Sequence, residues 1–242
     1  MEDRIENQKM HWDTLADKYE EFYSLDRVTP KLKRKVNFLI DASWMSFALL
    51  KDLGICCFAL EVGCGTGVFT RELAKTEANI AAIDLSSKMI EKAWESCYRH
   101  NVGFYVCDAH QISYPDKTFD AIVGAYVLHY LDLDIALKGF YRVLKDDGRI
   151  AFLEPNKLNP ILFALTHIGF IKRLFKRSKY ADSYTKNELK RILERNGFKN
   201  VKIYAGEFVS NRRLNAFIES IPVIREFGGT LFVKGVKENA KI

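Results

Sequence analysis

The run Glu61-Val62-Gly63-Cys64-Gly65-Thr66-Gly67 holds the residues best suited to chemistry in this 242-residue chain. It follows a short apolar stretch and precedes a segment of helical pattern that begins near Val68 or Phe69. A glycine turn at this point lets the backbone approach a ligand closely, with the N–H groups of the helix start facing it. The spacing is G-x-G-x-G behind an acid, whereas a dinucleotide-binding G-x-G-x-x-G would need its last glycine at Val68. Alone, a glycine turn of either kind is unspecific. Its neighbours add the signal: Asp84 closes the next apolar run, 17 residues after Gly67, and Asp108 closes the one after that. A carboxylate at the first of these ends can accept both hydroxyls of a ribose, and one at the second can accept an exocyclic amine.

Two histidines stand near these acids. His129 lies in AYVLHYL just past the fourth apolar run, and His110 follows Asp108 by two residues. An ordinary imidazole titrates close to neutrality, which suits proton transfer. His129 reads either as a base or as a packed or surface histidine in the first turn of a helix, and His110 as a residue of the binding loop or of the surface. Tyr19, Tyr23, Tyr126 and Tyr130 read either as pocket walls or as core. Cys56, Cys57, Cys64, Cys97 and Cys107 form no C-x-x-C pair, so reduced thiols are expected rather than a disulfide framework. No His, Cys and acid grouping has metal-ligand spacing, and no metal is expected.

Strand ends must be brought together for these acids to act as one site. The apolar runs CFALEVG, NIAAIDL, GFYVCD, FDAIVGAYV and GRIAFLEP alternate with the helical stretches TRELAKT, SSKMIEKAWESCYRH and LDLDIALKGFYRVLKD. That alternation predicts a doubly wound, mostly parallel α/β sheet, with ligands at its carboxyl edge. Pro115-Asp116 and Asp147-Gly148 mark the starts of the fourth and fifth runs. Ahead of the sheet, His11 to Leu25 carries Trp12, Leu15, Tyr19 and Phe22 at helical spacing. Behind it, Thr185 to Asn196 reads as a helix with Thr185 as N-cap, Glu188 three residues on and Gly197 as a stop, followed by the strand-like runs VKIYAG and TLFVKGV.

The expected units are a helical segment over 1–52, an α/β core over 53–155, a helical basic insertion over 156–198 and a closing strand pair over 199–242. With 48% hydrophobic and 28% charged residues the chain is not disordered. No apolar run reaches the ~18–20 residues of a membrane span, and the polar start MEDRIENQKMHWD shows no signal or transit peptide, so a cytoplasmic protein is expected. The net charge of +6 is uneven: residues 157–213 hold 14 basic and 4 acidic side chains. Within that segment, 160–177 runs from apolar residues into Lys172, Arg173, Lys176 and Arg177. It can lie in a membrane interface, cap a binding pocket, or pack on the sheet with a solvated basic end.

LEVGCGTG, AIDLSSKMIEKA, CDAHQISYPDKTFDAIV and LKDDGRIAFLEPN resemble the successive motifs of class I S-adenosylmethionine-dependent methyltransferases, most nearly the small-molecule and lipid subgroup that includes quinone-biosynthesis enzymes. The resemblance covers about residues 55 to 155 strongly and the flanks more loosely. It implies a seven-stranded Rossmann-like sheet of order 3-2-1-4-5-7-6 with the last strand antiparallel. It also implies that Glu61, Gly63 and Gly65 line the methionine end of S-adenosyl-L-methionine, and that Asp84 holds the ribose. Leu85 would lie near the adenine, Asp108 and Ala109 would meet its edge, and Ala125 would sit near the sulfonium; Met89 fits a cofactor-binding helix position one turn beyond Asp84, with a core position an equal alternative. The N-terminal helix would act as a lid, which favours Tyr19 as a pocket residue.

The activity implied is transfer of the methyl group to an oxygen, nitrogen or carbon of a small or lipid-like acceptor by in-line displacement, with His129 as base if a proton must leave. Gly124-Ala125-Tyr126-Val127 stands where amino-directed nucleic-acid methyltransferases carry a D/N/S-P-P-aromatic motif, so a nucleic-acid acceptor is not expected. The rivals are an NAD-dependent oxidoreductase and a non-catalytic binding protein of the same fold.

Overall fold

A computed structural model describes residues 2–23, 57–97, 99–160, 183–206, 224 and 226–238, with the side chains of residues 2 and 17–23 outside that description. The basic segment 160–177 and Cys56 therefore fall almost wholly outside the described residues, as do Tyr23 and Tyr19 beyond their helical backbone.

In chain order the elements are α1 (Glu2–Tyr23), β1 (Phe58–Val62), α2 (Val68–Leu73), β2 (Asn79–Asp84), α3 (Ser87–Ser96), β3 (Val102–Val106), β4 (Phe119–Ala125), α4 (Leu133–Val143), β5 (Leu144–Pro155), α5 (Lys186–Arg195), β6 (Lys199–Gly206) and β7 (Thr230–Val236). One seven-stranded sheet runs β3-β2-β1-β4-β5-β7-β6. Its first five strands pair in parallel, and β7 lies antiparallel between β5 and β6. The order changes direction between β1 and β4, so the glycine turn after β1 stands beside the open crevice where ligands of such sheets bind.

Strand periodicity divides the core into two layers. Leu60, Val62, Ile122 and Phe152 point to the face covered by α4 and α5, where Leu137, Phe140, Leu189 and Leu193 meet them. Ala59, Ala82, Ala121 and Val123 point to the other face, covered by α2 and α3 through Leu73 and Ala93. Both faces are dry, which is why these strands read as continuous apolar runs rather than alternating ones.

The local signals behave as their chemistry requires. Thr185 and Glu188 form a reciprocal capping box on α5, and Gly197 ends that helix at φ 96°. The turn expected before the fifth run is different: the ladder already begins at Leu144, paired with Phe119, and the register then jumps to Arg149 opposite Ala121. Asp147 sits at φ 59° inside this irregularity, its N–H donating to the Lys237 carbonyl, so the turn residues make a bulge within β5 rather than its boundary. Helix α1 also begins at Glu2, well before His11, because its early turns have a docking partner: Gln8 Nε2 donates to the Tyr130 carbonyl at 3.2 Å.

Candidate functional site

Strand pairing sets the acids side by side. Val62 pairs with Ile83 and Asp84 with Val106, so the carboxyl ends of β1, β2 and β3 present Glu61, Asp84 and Asp108 along one edge. The glycine turn is pinned over β2 by Gly63 and Cys64 N–H groups that both donate to the Ile83 carbonyl. Gly63 and Gly65 have φ of 69° and 52°, the left-handed region that disfavours a side chain. At Gly65 a Cβ would meet nothing within 4 Å, so the backbone there borders open space.

Glu61 is 1% exposed. Burial pushes its carboxyl up to about 8, with the Asp84 charge adding and nearby Thr70 opposing. Thr70 lies beside the Glu61 carboxyl, yet Glu61 Oε2 and Thr70 Oγ1 are both buried without a partner at ordinary hydrogen-bond geometry, which leaves them able to take a ligand group. Asp84 is engaged once on each oxygen: Oδ2 accepts from Gly65 N–H and Oδ1 from Ser86 N–H, both at 2.9 Å. Its pKa is raised, first by burial and further by Asp13, against backbone hydrogen bonds from Ser86, Gly65 and Leu85. A carboxylate has about four acceptor positions, so ribose hydroxyls can still be received.

Asp108 differs. Burial raises its pKa, but hydrogen bonds from His110 outweigh that and hold it below the usual carboxylate range. Oδ1 accepts both the His110 N–H at 2.9 Å and His110 Nδ1 at 2.6 Å. The remaining expected ligand contacts lie along the same edge in chain order: Leu85 follows Asp84, Ala109 follows Asp108, and Ala125 ends β4. Leu85 and Ala125 are half-buried and Ala109 is buried. Met89 is buried too, its N–H donating to Ser86 Oγ at the start of α3.

His129 lies in a short 3-10 turn, Leu128–Tyr130, after β4. It is 4% exposed, and its Nδ1 stands 2.6 Å from Oε2 of Glu154, itself 0% exposed. Glu154 Oε1 also accepts from the Val127 and Leu128 N–H groups at 2.9 and 2.7 Å. The Nδ1 proton faces the carboxylate, and in the neutral imidazole the lone pair is then on Nε2. Sequence reasoning passed over Glu154, although it closes the run GRIAFLEP as Asp84 and Asp108 close theirs. Tyr126, at φ 56°, joins its hydroxyl to Thr230 Oγ1 at 2.9 Å.

Helix α1 reaches this edge from above. Asp13 Oδ1 accepts a hydrogen bond from Ser86 Oγ beside Asp84, and Trp12 packs edge-on against Tyr130 with ring centroids 5.1 Å apart. Asp13 is a second residue the sequence did not single out; it lies between Trp12 and Leu15 of the apolar stripe and carries no spacing signal. Among the described residues no three acids, histidines or cysteines gather as metal ligands, and no helix is long and apolar enough to cross a membrane.

An S-adenosyl group fits this site on three counts: a buried carboxylate with an unpaired oxygen, open space at Gly65, and spare acceptor capacity on Asp84. Residues 60–152 match a family model described as a methyltransferase domain. The ubiquinone/menaquinone biosynthesis C-methyltransferase UbiE of Geotalea daltonii is 33% identical over 172 residues, covering 66% of this chain and 72% of that protein. The demethylmenaquinone methyltransferase of Tropheryma whipplei is 32% identical over 187 residues, covering 68% and 76%. Among solved structures, the magnesium protoporphyrin IX methyltransferase of Synechocystis with bound SAH superposes with a TM-score of 0.70 at 17% identity, covering 97% of this chain and 100% of that one. That likeness is one of fold.

Proposed function

The chain belongs to the class I S-adenosylmethionine-dependent methyltransferases of the quinone-biosynthesis type, and from that premise we propose that its small-molecule acceptor is a lipid-like quinol ring methylated on carbon. The observation that carries the cofactor side of this reading is the row Glu61, Asp84 and Asp108 at one sheet edge under the glycine turn. The relatives named above act in ubiquinone and menaquinone biosynthesis, which supports the acceptor.

When bound, S-adenosylmethionine supplies a methyl group already activated on a sulfonium, so the chain needs to hold, orient and shield the reactants. In this reading Glu61 receives the cofactor's ammonium group beside the backbone of Gly63 and Gly65. Asp84 takes the ribose hydroxyls, Leu85 and Met89 flank the adenine, Asp108 and Ala109 meet its edge, and Ala125 borders the reacting centre. His129 accepts the acceptor's proton on Nε2, and Glu154 keeps its Nδ1 protonated and its ring in place. Helix α1 serves as the lid, the role that makes its Tyr19 a candidate pocket residue.

A lipid-like acceptor partitions into bilayers, and the sequence of 160–177 has the composition of a peripheral membrane contact. Turnover with a prenylated demethylquinol, its tail-less ring and a catechol tests the acceptor, with the methylated atom located by NMR. Ring-carbon methylation favouring the prenylated compound is expected; methylation confined to catechol oxygen overturns the assignment. Flotation with anionic vesicles, with and without residues 160–177, tests the membrane contact. No association of the full chain at low salt overturns it.

A further inference from the structure

His110 connects two loops that carry different halves of the proposed site. On one side its Nδ1 lies 2.6 Å from Asp108 Oδ1, at the end of β3. On the other, its Nε2 accepts the Asp132 N–H at 2.9 Å. Asp132 is the N-cap of α4, and its carbonyl receives the first N–H groups of that helix, from Ile135 and Ala136. One residue earlier, Leu131 N–H bonds back to the Leu128 carbonyl, within the turn that holds His129 and Tyr130. The side chain of His110 is 8% exposed; its bond to Asp108 is half-buried, and its bond to Asp132 lies at the surface.

The ring's chemistry is determined by its two partners. An amide N–H can only donate, so Nε2 must present a lone pair, and the proton must sit on Nδ1, facing the carboxylate. This is a neutral imidazole in a single tautomer, committed at both nitrogens. With the ring and the His110 N–H both on Oδ1, Asp108 Oδ2 is the oxygen left to meet a ligand.

We propose that His110 is a positioning residue: it aims Asp108 at the base of the bound nucleoside and ties that carboxylate to the turn carrying His129. The proposal rests on the assignment of Asp108 to the adenine edge, and it adds a chain-specific coupling between the cofactor half and the acceptor half of the site.

The two bonds can be cut separately. Asn at this position can keep a donor where Nδ1 stands, and Gln can keep an acceptor where Nε2 stands. Binding of S-adenosylhomocysteine and of S-inosylhomocysteine, which has an oxo group for the exocyclic amine, measures how well Asp108 is aimed. His110→Ala is expected to reduce the preference for the adenosyl compound at least tenfold, as is His110→Gln. His110→Asn is expected to keep that preference and to lose turnover through the broken tie to Asp132. In the unliganded protein, 15N NMR of the histidines should give an Nδ1-protonated, Nε2-unprotonated signal that is assigned to His110 by its loss in His110→Asn, while the signal of His129 remains.

Unchanged preference in His110→Ala, while Asp108→Ala loses it, overturns the role of His110 alone. Unchanged preference in both variants overturns the assignment of Asp108 and the proposal with it. An Nε2-protonated ring in the wild-type protein overturns the coupling directly.

Discussion

The imidazole of His129 and the carboxylate of Glu154 form a buried pair, Nδ1 to Oε2 at 2.6 Å, across the carboxyl ends of β4 and β5. Glu154 reaches the pair from a strand that continues to the sheet edge, while His129 arrives from the turn beyond β4. The same carboxylate collects the N–H groups of Val127 and Leu128, so one side chain both shapes the turn and orients the ring.

Removing that acceptor strands several buried donors. Glu154→Ala is expected to cost about 3 kcal/mol or more of folding stability, read from urea unfolding. His129→Ala should be milder for stability but should reduce kcat by about 100-fold or more, the lower range of general-base effects, with S-adenosylhomocysteine affinity little changed. A fully active His129→Ala enzyme removes the base.

Glu61 links the site to pH. Its folded pKa of about 8 lies above the ordinary carboxylate value of 4.5, so the folded protein binds the proton more tightly than the unfolded chain. Its contribution to stability is complete below about 4.5 and is lost as pH rises toward 8. Glu61→Gln should flatten this slope in Tm measured between pH 5 and pH 8.5. A cationic ammonium beside Glu61 favours the ionised form, so cofactor binding near pH 7 should release a proton. Calorimetry in two buffers of different ionisation enthalpy would detect that release in the wild type and its absence in Glu61→Gln.

Asp84→Ala should weaken S-adenosylhomocysteine binding by about 1–3 kcal/mol, the scale for leaving buried polar groups without partners. The loss also frees the Gly65 and Ser86 N–H groups, so Asp84→Asn is the informative second variant. An unchanged dissociation constant in both variants contradicts the ribose role.

The two glycines should fail in different ways. A Cβ on Gly63 would lie 2.5 Å from Val127 Cγ2, so Gly63→Ala should lower Tm sharply. A Cβ on Gly65 meets no protein atom, and only the left-handed backbone cost of about 1–2 kcal/mol applies. Gly65→Ala should therefore keep a folded protein while losing cofactor affinity, because the methyl group occupies the space a ligand would need. Thermal unfolding with and without S-adenosylhomocysteine separates the two outcomes.

Much of the fold was written in local patterns. Strand-length apolar runs, helical periods between them and the Thr185-to-Gly197 frame each act over a few residues, so they survive reading one segment at a time. Glu61, the glycine turn, Asp84 and Asp108 were legible for the same reason: each closes its own run, and parallel connection puts run ends on one edge. Asp147-Gly148 misled because a turn dipeptide can serve a bulge as well as a boundary, and only the pairing of Leu144 with Phe119 decides which.

Contacts between distant segments had no such signature. Asp13 meets Ser86 across 73 positions, His110 meets Asp132 across 22, and His129 meets Glu154 across 25. Composition and spacing determined the sheet, its carboxyl edge and the acids that end the strands, since these follow from periodicity and chain direction. Which of those acids keeps a buried oxygen without a hydrogen bond, which tautomer His110 holds and what α1 covers were decided only when packing removed water and left each polar group with the neighbours the fold had brought to it.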